Sequence, residues 1–423
     1  MNDAPLQSGF AMLQVGIDFG TTNSVIALLD ADGTTRGVAF GTEQVFRSVL
    51  CFWAEENRAG HRLHHAAGPE GIAAYLDDPL DSRLIMSMKT YLAQRSFTET
   101  RIFGRRFTLP DLIAQFLRAL ASAADLDPAA LHVVAGRPVR FAGEFADDAF
   151  GEARLRESFA AAGFPDVATA LEPEAAGWRF ARSLTSPAHV LVGDFGGGTS
   201  DFSVLRFVPN APVTPVGHAG VGIAGDVFDY RIIDRVISPL LGKGGTYRIM
   251  GKDMPIPVEY FTSFARWHSL SLMRGPKTLR EIAEVAKTAR HPERLLALIA
   301  LIEDEQGFPL YQAVSRVKAS LSHAESAVLR FAHAGIAIEQ TVTRADFESW
   351  IAPDIARLGS AVDQAMTEAG LEAASIDHVF LTGGTSFVPA VRRLFEARFG
   401  AAQVTAGGEF VSVAEGLALM GAG

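Results

Sequence analysis

The chain has 423 residues, 48% of them hydrophobic and 20% charged, with a formal net charge of −10. That length exceeds what one hydrophobic core usually fills and predicts two domains, and the acidic balance argues against a nucleic-acid or anionic-membrane surface, which wants a basic excess. The single cysteine, Cys51, excludes an intrachain disulfide and a thiolate metal cluster and, beside Phe52 and Trp53, reads as a small buried hydrophobe.

The first elements are short strands from Val15 to about Phe52, with turns at Asp32-Gly33 and Gly41-Thr42. The leading segment 1–14 has neither a basic start nor a continuous apolar core, so it does not read as a signal peptide. No apolar run reaches the roughly eighteen residues of a membrane span, and the expected location is cytoplasmic. Leu112, Ile113, Phe116, Leu117 and Leu120 recur at helical spacing and predict a helix over 110–124. Leu131 to Arg137 reads as a buried strand stopped by Pro138, and a helix is expected over 143–162 before Gly163-Phe164-Pro165. Residues 172–183 look helical, and a strand follows from about His189. Between about 226 and 330 the pattern is mostly helical, broken at 242–251 and at Pro255 and Pro257. Val379 to Thr382 predicts a strand, Gly383-Gly384 a turn, 389–398 a helix, and Gly407-Gly408 precedes a last short helix. Strands and helices mixed in sequence favour a layered α/β fold.

One phrase occurs twice. Asp18-Phe19-Gly20-Thr21-Thr22-Asn23-Ser24 and Asp194-Phe195-Gly196-Gly197-Gly198-Thr199-Ser200 each follow an apolar run and precede another. Strand, polar turn, strand is an arrangement in which an Asp holds a metal while small residues offer N–H and hydroxyl groups to phosphate. Its repetition predicts two related lobes gripping one nucleotide.

Other motifs mislead. Asp-Phe-Gly is also the magnesium triplet of protein kinases, but the His-Arg-Asp loop and Ala-Pro-Glu segment those enzymes require are absent from the sequence. Gly220-Val221-Gly222-Ile223-Ala224-Gly225 satisfies a dinucleotide pattern, yet 226–236 runs into Pro239 and a glycine-rich loop instead of a second strand with an acidic residue. No P-loop sequence occurs. His61, His64 and His65 lack helical metal-ligand spacing and read as solvated loop residues.

Taken together, these segments resemble the nucleotide-binding domain of the seventy-kilodalton heat-shock proteins, within the actin-like ATPase superfamily of ribonuclease H-like fold. Gly16 to Ser24 matches that family's first phosphate loop almost letter for letter, Asp194 to Thr199 its second, and Gly383-Gly384-Thr385-Ser386-Phe387-Val388-Pro389 its adenosine motif. Gly136-Arg137-Pro138, Glu172-Pro173 followed by Ala175-Ala176-Gly177, and Pro239-Leu240-Leu241-Gly242 look closer to the divergent bacterial YegD branch. The resemblance implies an N-terminal extension at 1–14, a first lobe at 15–189 with an insertion at about 41–130, and a second at 190–423 with a mainly helical insertion at about 229–325.

It also implies roles. Asp18 and Asp194 would hold a hydrated Mg²⁺ across the cleft, and Gly20, Thr21, Thr22, Asn23, Gly196, Gly197, Gly198 and Thr199 would contact the phosphates of ATP or ADP. Lys89 would reach the terminal phosphate, and Glu172 and Thr199 would orient water, with Asp201 behind them. Gly225 and Asp226 would close over the phosphates. Ser315, Lys318 and Ser322 share one helix face, opposite an apolar face of Tyr311, Val314, Val317 and Leu321. Lys318 and Ser322 match residues that contact the nucleoside, as do Gly383, Gly384 and Thr385. Three departures stand out: Ser315 replaces the family glutamate, Phe387, which could still stack on the base, replaces an arginine that faces adenine, and Phe410, beside Glu409, replaces an acidic residue.

The chain stops about where the nucleotide domain would stop, so no peptide-binding domain is expected. The resemblance implies a magnesium-dependent, slow ATPase that switches conformation for a protein partner. A non-catalytic nucleotide-binding switch or scaffold and a small-molecule kinase of the same fold are the alternatives.

Overall fold

A computed structural model describes residues 12–57, 60–143, 145–209, 211–266, 271–333, 335–407 and 411–421. The predicted extension therefore lies outside the described residues up to residue 11, and the first strand begins at Leu13. That strand, Leu13–Phe19, alternates, with Leu13, Val15, Ile17 and Phe19 on one face and Gln14, Gly16 and Asp18 on the other. Val15, Ile17 and Phe19 enter a core with helix Leu109–Ala123, while Gly16 lies flush against helix Ser412–Met420.

The repeated phrase sits in two sheets of the same strand order. In the first, Asp166–Leu171, Leu131–Arg137, Leu13–Phe19, Asn23–Leu29 and Thr35–Gly37 lie side by side, with Phe46–Arg47 also paired to Asn23–Leu29. In the second the order is Val404–Ala406, His378–Thr382, Ala188–Phe195, Ser200–Phe207 and Thr214–Val221. Each sheet places a hairpin at its centre, with two parallel strands on one side and an antiparallel strand on the other. The pattern of two related α/β lobes is therefore present in the backbone pairing itself.

Two helices cross between the lobes. Glu172–Ala181 follows the first sheet, yet a Cβ on its Gly177 would lie 1.9 Å from Leu205 of the second. Ser412–Met420 follows the second sheet but packs on the first: a Cβ on Gly16 would meet the Ala414 carbonyl at 2.0 Å. Where the helices cross, a Cβ on Gly416 would meet the Ala175 carbonyl at 1.7 Å. Glycine at 16 and 416 lets backbone touch backbone, and at 177 it makes room for the Leu205 side chain.

Between the sheet strands lie two insertions. The first contains the sheet of Val49–Asn57, Gly60–Ala67 and Ser82–Met86 with helix Gly68–Asp77. The second contains helices Val258–Ala265, Pro276–Thr288 and Pro292–Glu303, followed by Gly307–Leu321. They meet each other: the buried Tyr75 donates its hydroxyl to the Glu305 carbonyl at 2.7 Å and packs edge-on against Phe308 at 6.0 Å. Arg274 pairs with the Glu305 carboxylate, and Cys51 is buried in the same cluster.

Several expectations need correction. The helix expected from 143 starts at Asp148, because Gly143 is at φ 128° and Asp147 caps the helix by accepting from the Phe150 N–H. The stretch 226–330 contains the hairpin Thr246–Ile249 and Lys252–Pro255, and strand Ser326–His333 has already begun before its end. Gly220 sits on the antiparallel edge strand Thr214–Val221, so the glycine pattern there is not a dinucleotide turn. His64 and His65 belong to strand Gly60–Ala67, where His64 stacks on Trp53 at 5.7 Å; the His61 side chain lies outside the described residues. Among the described residues no helix is long and apolar enough to cross a membrane.

The crossing gives a stability test. Gly416→Ala gains helix propensity of about 1 kcal/mol, but its methyl collides with backbone that cannot rotate away, and overpacking of this kind costs about 1–3 kcal/mol or more. Chemical denaturation is expected to show net destabilisation for Gly416→Ala and almost none for Gly222→Ala, where a Cβ meets nothing within 4 Å.

Candidate functional site

Both hairpin turns come to one place. A Cβ on Gly197 would lie 2.3 Å from Thr22 Oγ1, and one on Gly198 3.4 Å from Thr21 Oγ1, so the turns abut tip to tip. Gly20 is equally constrained, because its Cβ would meet the Asn23 carbonyl at 2.1 Å within its own turn. Gly383, at φ 84°, brings the third glycine turn against the Phe195 carbonyl, where a Cβ would sit at 2.1 Å. The Asp226 N–H donates to the Gly197 carbonyl at 2.9 Å, tying helix Gly225–Ile232 to the second turn.

These turns enclose a cleft of about 320 Å³. Of the residues singled out in the sequence, it is lined by Asp18, Gly20, Thr21, Thr22, Asn23, Lys89, Glu172, Asp194, Gly196, Gly197, Thr199, Gly225, Asp226, Ser315, Lys318, Ser322, Gly383, Gly384 and Thr385. Two are placed differently. Gly198 serves the contact between the turns and does not line the cleft. Phe387 ends the helical turn Gly384–Phe387 more than a third exposed, and Val388 takes the place on the cleft wall. Glu409 and Phe410 lie outside the described residues.

At the floor, Lys89 and Glu172 form a buried ion pair. Lys89 reaches it from the short turn Met88–Tyr91, entered through Ser87 in a left-handed conformation at φ 54°. Glu172 is the first residue of helix Glu172–Ala181. Burial alone would pull the Lys89 ammonium down, but Glu172 and Asp18 outweigh it and hold the group above its ordinary value. Burial, then repulsion from Glu172, pushes Asp18 up to about 7, and the same causes drive Asp194 well above the usual carboxylate range. Asp201 stands directly opposite Asp194 across the strand pair. Its Oδ1 accepts from the N–H groups of Val139 at 2.8 Å and Arg140 at 3.2 Å, joining the lobes behind the cleft.

Two side chains in the cleft escaped the sequence reading. Tyr311 was assigned to the apolar face of its helix, yet it lines the cleft and donates to Asp226 Oδ1 at 3.1 Å. The spacing could have found it, since 311, 315, 318 and 322 follow one helical stripe. Arg47 also lines the cleft and donates to Asn23 Oδ1 at 2.9 Å. Nothing around it in the sequence marks it, because its placement comes from strand pairing with a distant turn.

The sequence is similar to known proteins. A family model described as "Hsp70 protein" matches residues 303–422. The chaperone protein DnaK of Thermus thermophilus is 26% identical over 400 residues, covering 91% of this chain and 57% of the relative. DnaK of Deinococcus proteolyticus is 24% identical over 393 residues, covering 90% and 54%, and that of Thermotoga maritima 26% over 390, covering 91% and 55%. The chain thus spans a little over half the length of the curated relatives it matches. The architecture is the actin-like ATPase fold that the resemblance implies.

Asp201 yields a pH prediction. Burial first and Glu172 second push its carboxyl from an ordinary 3.8 to about 7, so between those values the folded chain binds a proton that the unfolded chain has released. Stability from this group is full below pH 4 and is lost as pH rises through 7, by up to roughly 4 kcal/mol. Asp201→Asn keeps the Oδ1 acceptor and removes the titration. Denaturant unfolding at pH 4.5 and 7.5 is expected to show a smaller loss of stability in the variant than in the wild type.

Proposed function

We propose, from the premise that this chain belongs to the seventy-kilodalton heat-shock protein family, that its cleft binds ATP and ADP with Mg²⁺, hydrolyses ATP slowly, and drives a conformational switch. The observation that carries this reading is the meeting of two phosphate-type turns over the buried Lys89–Glu172 pair. The two bodies that move are read as residues 15–189 and 190–423, with the bridge between Tyr75 and Glu305 as the contact to be made and broken.

The residues fit a magnesium ion of the kind that keeps most of its waters. Asp18 and Asp194 offer hard oxygen donors on facing turns, and both carboxyls are raised by burial and by repulsion from Glu172, which a divalent cation would relieve. Among the described residues, no three His, Cys, Asp or Glu side chains form a metal cage, which suits an ion shared with phosphate. Bound there, the ion would neutralise phosphate charge.

The chain's own groups supply the rest. Thr21, Thr22 and Gly196 to Thr199 present N–H and hydroxyl donors to phosphate oxygens. Lys89, kept charged by Glu172, faces the charge that develops in phosphoryl transfer. Glu172 and Thr199 are read as orienting the attacking water. Lys318, held by Asp229 at 2.7 Å and the Gly225 carbonyl at 3.1 Å, presents its stem and Ser322 to the nucleoside. The relatives are named chaperones, and a chaperone-related role with a protein partner is proposed on that basis. The narrower likeness to the YegD branch rests on the sequence phrases alone.

A second reading, a nucleotide switch without turnover, is favoured by Phe387 lying off the cleft wall and by the short Ser315. One experiment separates the two. Titration calorimetry with MgATP, MgADP and MgGTP is expected to show adenine nucleotides binding, and a phosphate-release assay to show slow turnover. Turnover is expected to fall about 100-fold in Lys89→Ala. Because that change leaves Glu172 unpaired and can cost about 3–5 kcal/mol, Lys89→Met/Glu172→Gln, which leaves neither charge alone, separates lost chemistry from lost folding. Binding with wild-type phosphate release no higher than in these variants would establish the switch without turnover; absence of binding would remove both readings.

A further inference from the structure

Arg47 has no role in the reading above, although its side chain is fixed at the cleft. It lies on the two-residue strand Phe46–Arg47, which pairs antiparallel with the first phosphate turn so that Arg47 stands opposite Asn23. Two further bonds hold the chain in that register. The Ser48 N–H donates to the Thr22 carbonyl at 2.9 Å, and the hydroxyls of Ser24 and Ser48 meet at 2.9 Å. The guanidinium is then anchored by one bond, from Nη1 to Asn23 Oδ1 at 2.9 Å.

The other two cations of the cleft are committed at short range, Lys89 to Glu172 and Lys318 to Asp229. Among the described residues, no carboxylate lies within ion-pair distance of Arg47. A guanidinium carries five N–H donors in a planar fork, and the one bond recorded for it goes to a neutral amide. Its charge acts across the cleft on Asp226, Asp229 and Tyr311 and holds each of them lower than it would otherwise be. The charge of Lys89 acts instead on Asp18, Asp194 and Asp201. The cleft therefore has one cation at its floor and another at the side that faces the Gly307–Leu321 helix.

We infer that Arg47 is a phosphate-contacting residue, its fork taking oxygens of the phosphate nearest the sugar while Lys89 takes the far end. The inference rests on the reading that the cleft binds nucleotide. A partly buried guanidinium without a carboxylate partner gains more from an incoming phosphate than one already paired, because desolvation has been met without a full counter-charge. Asn23 is then a positioning residue for Arg47 through its side-chain oxygen, with its backbone N–H left for the ligand.

The test compares MgADP with adenosine, by calorimetry or by displacement of a fluorescent ADP analogue, in wild type, Arg47→Ala and Arg47→Lys. Arg47→Ala is expected to weaken MgADP about tenfold or more and to leave adenosine within about twofold. Arg47→Lys, which keeps the charge and loses the fork, is expected to fall between. Unchanged MgADP affinity in Arg47→Ala, or an equal loss for both ligands, overturns the inference and leaves the nucleotide reading standing. Failure of the wild type itself to bind MgADP removes that reading, and this inference with it.

Discussion

A single buried ammonium, that of Lys89, stands among the carboxylates of Asp18, Glu172, Asp194 and Asp201. In a medium of low polarity such an excess of negative charge is unstable unless protons or cations offset it. The raised carboxyls of Asp18, Asp194 and Asp201 show the first remedy at work. A magnesium ion carried in with phosphate would be the second, and it would free those protons. The cleft is therefore strained toward a cationic guest, and the rest of the molecule holds the carboxylates together against their repulsion. The abutting turns at Thr22 and Gly197 and the crossing helices at Ala175 and Gly416 supply that restraint through backbone contact, which side-chain motion cannot relax.

The parts of this site legible in the sequence are those whose chemistry is local. Asp18 to Asn23 and Asp194 to Thr199 each carry their turn, their glycine and their carboxylate within seven residues, so the phrase itself announces the hairpin. Lys89 and Glu172 became visible only through resemblance, because what makes them a pair is a contact between residues 83 positions apart. Arg47 and the Tyr311 hydroxyl were missed for the same reason. One depends on a two-residue strand laid against a distant turn, and the other on which carboxylate a helix happens to face. The helix expected from 143 failed on local conformation, since composition does not reveal that Gly143 is left-handed and that Asp147 is the cap. Phe387 failed on geometry: a tight turn at Gly383–Gly384 decides whether Phe387 or Val388 reaches the wall, and the two are indistinguishable as apolar letters.

The two insertions are joined through Tyr75 and Glu305. Tyr75 and Phe308 are aromatic and buried, while Arg274 and Glu305 are charged and partly open, so the bridge combines area burial with an ion pair of the kind that salt weakens. Glu305 adopts a left-handed conformation at φ 54°, and it offers Tyr75 both its backbone carbonyl at 2.7 Å and its side-chain Oε2 at 3.3 Å. Breaking this contact would expose the tyrosine ring and free its hydroxyl.

The exchange of helices between the lobes also bears on how the chain is made. The first sheet is laid down early in synthesis, with Leu13–Phe19, Asn23–Leu29 and Leu131–Arg137 all available before the second lobe exists. One face of that sheet, at Gly16, Val25 and Ala27, is packed against Ser412–Met420. These strands are complete at Arg137 while the helix packed on them begins at Ser412, a long-range closure of the sort that slows folding and exposes intermediates to aggregation.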